Sequence, residues 1–303
     1  MKVNSAEMIK TMRREMRLSR EDLADQLFIS VRQLARIEAG EATVSMWQFV
    51  SMLELLGNPT EDFWLLYLDS SEYSSYREYR RLKRQLKNGD MSDAAEIITE
   101  IESGTLIKQP LIKQFVEYAK IAIGVTMPTA ETLSGLLRVM HISKPKFEEG
   151  RISEYRMTHN EISIATFMAQ CYVHMGESDR GIAMMQALIV GRERAQVSEE
   201  DRAILFPGLY YTLSRMLLNA DRFKEALKAC EAALESCREY NNMHNIPQIL
   251  FDMGHCYYKL GEEEHMYRTH LVRAYHAAYA MGRNESAKMI KDDALEYFNV
   301  DVI

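Results

Sequence analysis

Apolar residues recur every three to four positions along nearly the whole chain, and no stretch shows sustained apolar–polar alternation. That period belongs to helices with one buried face. Six prolines (Pro59, Pro110, Pro128, Pro145, Pro207 and Pro247) are placed where a helical pattern is expected to start or stop. Strand-like runs bounded by turn glycines are missing. The pattern predicts an all-α protein, and 303 residues are enough for two domains.

Within residues 5–68 the pattern breaks into short helices with clear start signals. Ser19 with Asp22, Ser30 with Gln33 and Ser45 with Gln48 fit or nearly fit the capping-box spacing. Apolar residues then recur on one face: Met8, Ile9 and Met12; Leu23, Ala24 and Leu27; Leu34 and Ile37; Phe49, Val50, Leu53 and Leu56. Gly57 reads as a C-cap and Pro59 as the stop. Only a few residues separate the second and third helices, which is the spacing of a helix-turn-helix. In that motif the second helix enters the major groove and presents its first residues to base edges. Leu34 and Ile37 anchor that helix, so Val31, Arg32, Gln33, Ala35 and Arg36 fall near its outer, N-terminal side. Arginine suits the task, because its planar fork can donate twice to guanine.

The run LSREDLADQLFISVRQLARIEAG, residues 18–40, resembles the phage-repressor-like (Xre) helix-turn-helix, whose usual form runs LSQEELAEKLGVS and ends in IExG. The resemblance implies that Arg20 stands where a phosphate-contacting glutamine is usual, and that Val31, Arg32 and Arg36 take base-reading positions with Gln33 beside them. It also implies that Arg13 and Glu38 form a buried ion pair. Phe28 replaces the usual turn glycine, and because phenylalanine is strained at positive φ, a looser or differently shaped turn is expected.

Beyond residue 70, SSYREYRRLKRQLKNGD (residues 74–90) forms a basic connector with Arg77, Arg80, Arg81, Lys83, Arg84 and Lys87, either a solvated helix face or a neighbour of DNA phosphates. From Lys83 onward one skeleton recurs along the chain. A small or polar residue (Lys83, Ala169, Ser214, Gly254) precedes Leu86, Tyr172, Leu217 or Tyr257 by three places. A turn residue (Asp90, Gly176, Asp221, Gly261) comes next, and the following helix carries Ala95, Gly181, Ala226 or the poorer match Met266. Residues 112–140 hold a degenerate copy. This skeleton resembles the tetratricopeptide repeat, and implies a solenoid with a concave face.

An Xre-type head on degenerate tetratricopeptide-like repeats resembles the Rgg/RRNPP regulators of Gram-positive bacteria. The resemblance implies a cytoplasmic, homodimeric transcription factor, active in quorum sensing, whose repeats bind a short re-imported signalling peptide. The expected domains are residues 1–68, binding DNA, and 72–303, binding peptide and dimerising. Phasing on the small residues puts Thr166, Gln170 and His174, then Tyr211, Arg215 and Asn219, then Phe251, His255 and Tyr258 on the concave face. These offer amides for a peptide backbone, aromatics for its side chains and a cation for its carboxylate. Tyr275, Tyr279 and Met281 are expected at the dimer interface. A different class stays open, in which the repeats form a scaffold for a protein partner.

The formal charge of −7 argues against polyanion binding by the whole surface and confines nucleic-acid contact to a local patch, although residues 1–70 are themselves net acidic. Cys171, Cys230, Cys237 and Cys256 form no CxxC pair and read as buried free thiols in a reducing compartment. No apolar stretch reaches membrane-spanning length. His255, Glu262, Glu263, Glu264, His265 and His270 cluster in sequence but contain no HExxH, and no phosphate-binding glycine loop or nucleophile elbow occurs. Neither an enzyme nor a metal or cofactor is expected.

Overall fold

In a computed structural model of the chain, residues 5–56, 78–86, 92–104 and 106–302 are described. The Gly57 cap, the Pro59 stop, the Asp90 turn, Arg77, Lys87 and the expected boundary between residues 68 and 72 lie outside them, as do the side chains of Met8 and Met12. The described residues form helices and turns with no strand; one isolated parallel bridge pairs Thr158 with Gln196.

Four helices open the chain: α1 (Ser5–Glu15), α2 (Arg20–Gln26), α3 (Val31–Glu38) and α4 (Met46–Leu55). Ser19 and Ser45 cap α2 and α4 in reciprocal boxes with Asp22 and Gln48. Ser30 caps α3 by accepting from the Gln33 amide, but the Gln33 side chain does not return the bond and is exposed. Ile9, Leu18, Leu23, Leu34, Ile37, Phe49, Met52 and Leu53 close one core, which Leu111 completes from a later helix. A helical stretch over 78–86 comes next, in which Tyr79 donates to Glu54 at 3.0 Å. Within the basic connector, Arg81 pairs with Glu78 and Asp93, and Lys83 with Glu54, while Arg84 is exposed.

The remaining helices are α5 (Ala94–Ser103), α6 (Pro110–Gly124), α7 (Ala130–Ser143), α8 (His159–His174), α9 (Ser178–Gly191), α10 (Glu199–Asn219), α11 (Phe223–Glu239), α12 (Ile246–Lys259), α13 (Glu264–Ala280) and α14 (Asn284–Phe298). The chain divides into two compact units, one of residues 1–171 with 194–198, the other of 172–193 with 199–303. In the first, Arg156 donates to the carbonyls of Met16 and Arg17 at the α1–α2 turn, and Lys144 holds both the Arg156 carbonyl and buried Glu161.

In the second unit the repeat skeleton is visible as packing. Successive helices α10 to α14 contact one another in turn, with Ser214, Ala226 and Gly254 buried where neighbours touch. A Cβ on Gly254 would meet Leu271 at 2.9 Å and the Tyr267 carbonyl at 3.2 Å, so α12 and α13 approach at a point only glycine allows. The turn residues Gly176, Asp221 and Gly261 all adopt positive φ, and the next residue's amide reaches back to Tyr172, Leu217 and Tyr257. That is the left-handed C′ closure that ends a helix by pairing its orphan carbonyls. All four cysteines are buried and free.

Pro110 and Pro247 stand at the first turns of α6 and α12. Pro207 departs from the expectation, because it lies inside the 21-residue α10 rather than at an end. Proline lacks the amide that would bond the carbonyl four residues back, here that of Ala203. The Asn242 side chain donates to that carbonyl at 2.5 Å and replaces the missing bond.

Candidate functional site

In the head, Leu34 and Ile37 bury the inner face of α3, and Val31, Arg32, Gln33 and Arg36 are left exposed on the outside, with Ala35 half-buried. Four of the expected DNA-contacting side chains therefore share the open side of one helix, Val31, Arg32 and Gln33 in its first turn and Arg36 in its last. The fifth, Arg20, is engaged: its Nε donates to Glu38 Oε2 at 2.7 Å, although 43% of its side chain remains exposed. Arg13 donates to both oxygens of the same carboxylate (2.5 and 3.2 Å) and to the Leu18 carbonyl, so the implied Arg13–Glu38 pair is present, with a second arginine that the sequence pattern placed elsewhere. Burial would raise the Glu38 carboxyl, but the two guanidiniums outweigh it and hold the group below its ordinary value.

The turn before α3 differs from expectation. Phe28 adopts φ +55°, its amide bonds the Asp25 carbonyl and the Ile29 amide bonds that of Ala24. The turn keeps the tight left-handed closure that a glycine would give, and the phenylalanine bears the strain, because the two closing bonds and the buried helices on either side fix the backbone.

In the second unit, Arg215 on α10 donates from Nη1 to Asp252 Oδ1 on α12 at 2.8 Å. Asp252 is 1% exposed, its Oδ2 has no hydrogen-bond partner, and burial pushes its pKa up to about 6 against the pull of Arg215. Tyr211, one turn from Arg215, is half-buried, and burial together with the Asp252 charge raises it to about 12. Burial, Lys259 and Arg215 all lower the pKa of half-buried His255. Tyr211 and Arg215 thus converge on Asp252, while His255 feels the charges of Arg215 and Lys259. Asp252 was missed from sequence, though its signal was there: a carboxylate at a buried spacing between Ile249, Met253 and Cys256.

Phe251, His255 and Tyr258 are gathered too, but by Phe298 at the end of α14, whose ring lies 5.9, 5.6 and 5.1 Å from theirs. Tyr258 keeps 41% exposure; Phe251 and His255 are half-buried. Asn219 is exposed at the end of α10. Thr166 and Gln170 are half-buried in the first unit and His174 is exposed in the second. A groove of about 610 Å³ crosses α11, α12 and α13, lined by Lys228, Glu235, Arg238, Met253, His270 and Arg273, and none of the expected peptide-contacting residues lines it. At the expected dimer interface, Tyr275 and Tyr279 stack 6.2 Å apart, with Tyr279 63% exposed. No group of three or more potential metal ligands occurs among the described residues, and no helix among them is long and apolar enough to cross a membrane.

With this geometry in place, residues 9–63 match the helix-turn-helix family. The head is a helix-turn-helix domain. Around this helix-turn-helix head, the chain has the fold of PlcR from Bacillus thuringiensis in complex with the peptide PapR7 and DNA, at 17% identity and a TM-score of 0.61, covering 95% of this chain and 98% of that one. ComR from S. thermophilus in complex with DNA and its signalling peptide ComS matches at 15% identity and 0.50, covering 96% and 99%. The SHP pheromone receptor Rgg2 of Streptococcus dysgalactiae matches at 12% and 0.50, covering 97% and 100%. At these identities the likeness is one of fold. No curated protein matches the chain in sequence.

Proposed function

We propose that this protein is a cytoplasmic, homodimeric transcriptional regulator of the Rgg/RRNPP kind, whose helix-turn-helix head (residues 1–68) binds promoter DNA and whose repeats (72–303) bind a short signalling peptide. The observation that carries the DNA half is the open side of α3, where Val31, Arg32, Gln33 and Arg36 are exposed on a helix anchored by Leu34 and Ile37. The sensing half is supported by the fold shared with PlcR and ComR, whose structures hold peptide and DNA, and by an exposed guanidinium, Arg215, converging with Tyr211 on one buried carboxylate. Arg215 anchors a peptide carboxylate through the nitrogens that Asp252 leaves free, Asn219 serves its backbone, and the aromatics serve its side chains. Tyr275, Tyr279 and Met281 supply the dimer contact, which places two heads about one helical turn apart.

Selection of a random duplex library on the full chain tests the DNA half, with an enriched two-half-site sequence as the expected result. Mass spectrometry of small molecules extracted from the protein purified out of its own host tests the sensing half. A bound peptide, with Arg215→Ala weakening its affinity at least about tenfold, supports sensing. Co-purification of a stoichiometric folded protein in its place overturns sensing in favour of a scaffold.

A further inference from the structure

Two large apolar side chains are exposed among the described residues of the helix-turn-helix head, Phe28 (47%) and Val31 (37%), and they lie close together in the chain. Val31 is the first residue of α3 and Phe28 is the left-handed residue of the turn that leads into it. Phe28 is doubly unfavourable to the isolated chain. Its backbone occupies a conformation that a bulky residue adopts only at a cost, and its ring is left facing water. Glycine would remove both penalties without altering the turn, because the closing bonds are made by the Phe28 and Ile29 amides and not by a side chain.

A single exposed apolar side chain needs no explanation, but one held in a strained conformation beside a second is different. Both lie at the end of α3 that carries Arg32 and Gln33. From this we infer that Phe28 is a DNA-contacting, specificity-determining residue, extending the apolar surface of Val31 onto thymine methyl groups at the outer edge of the half-site. The C5-methyl of thymine is the one apolar mark in the major groove, and phenylalanine is among the side chains that read it. This inference rests on the DNA-binding reading above.

The test uses the full chain, the duplex enriched from a random library, and versions of it in which single thymines are replaced by uracil, which removes only the methyl. Wild type should lose roughly 3- to 10-fold in affinity at one outer thymine, the scale of one buried methyl group. Phe28→Gly should melt at a higher temperature, bind the parent duplex correspondingly more weakly, and be indifferent to uracil at that position. Phe28→Tyr should keep the thymine dependence. A Phe28→Gly variant that binds with unchanged affinity and an unchanged thymine pattern overturns the inference. So does a uniform loss on every duplex, which would place the ring on the sugar–phosphate backbone, or a change in oligomeric state alone, which would place it between copies of the chain. If wild type enriches no sequence, the DNA-binding reading falls and this inference with it; if Arg32→Ala loses binding while Phe28→Gly does not, only the inference falls.

Discussion

The side chain of Asn242 donates to the carbonyl of Ala203 at 2.5 Å, supplying the hydrogen bond that Pro207 cannot make inside α10. Asn242 follows Asn241, the left-handed residue that ends α11, so the turn that closes one helix repairs its neighbour. Leaving the carbonyl unpaired costs about 1–3 kcal/mol. Asn242→Ala should destabilise the chain by about that much in urea unfolding, and Pro207→Ala added to it should recover most of the loss. Strict additivity of the two substitutions would show that the bond does not compensate the proline.

Asp252 holds its proton up to about pH 6 in the folded chain, against 3.8 for the ordinary group. The folded state therefore binds more protons between those values, and stability falls as pH rises through that window. Above pH 6 the whole penalty of the buried charge remains. Asp252→Asn should make the chain more stable than wild type at pH 8, by about 1–3 kcal/mol, with the gap closing as pH falls towards 4. Thermal melts of both forms across pH 4–8 check this; a gap that widens towards low pH would reverse the assignment.

Glu38 has the opposite sign. Two guanidiniums hold its carboxyl below the ordinary value of 4.5, so its contribution is present above that pH and lost as pH falls through the lower folded value. Glu38→Gln removes the charge shared by Arg13 and Arg20 and should destabilise the head by about 3–5 kcal/mol, since the buried Arg13 guanidinium is left without a counter-charge. Hydrogen exchange of the α1–α3 amides would show it, and unaltered protection would count against a structural role.

Arg32→Ala and Arg36→Ala should each weaken binding to the enriched duplex by about 1–3 kcal/mol and relax base preference. Arg20→Ala should act differently. Its Nε is held by Glu38, so its other nitrogens are placed to meet a phosphate, and the salt slope should fall by about one with base preference kept. Fluorescence anisotropy over a salt series separates the two behaviours.

Gly254→Ala should destabilise the chain although alanine favours helices by about 1 kcal/mol. The added methyl meets Leu271 at 2.9 Å and the backbone oxygen of Tyr267 at 3.2 Å, and such overpacking costs about 1–3 kcal/mol. A higher denaturation midpoint for the variant would show that the helices separate freely here.

Several helix ends were legible in the amino-acid order alone, because they depend on neighbours within a few residues. Ser19, Ser30 and Ser45 cap helices through amides three places away, and Gly176, Asp221 and Gly261 close them through the turn just before. The open face of α3 was legible for the same reason, since Leu34 and Ile37 fix which side turns inward. Relationships between residues far apart in the chain needed the packed molecule. Arg20 turns to Glu38, Arg215 to Asp252, and Phe298 covers the ring of Phe251, because each pair meets only after the helices pack. Periodicity tells a residue which face of its own helix it occupies, but not which charge or ring waits on the next. Pro207 shows the limit plainly: local rules forbid it in a helix, and the side chain of Asn242, from the far end of the next helix, makes it acceptable.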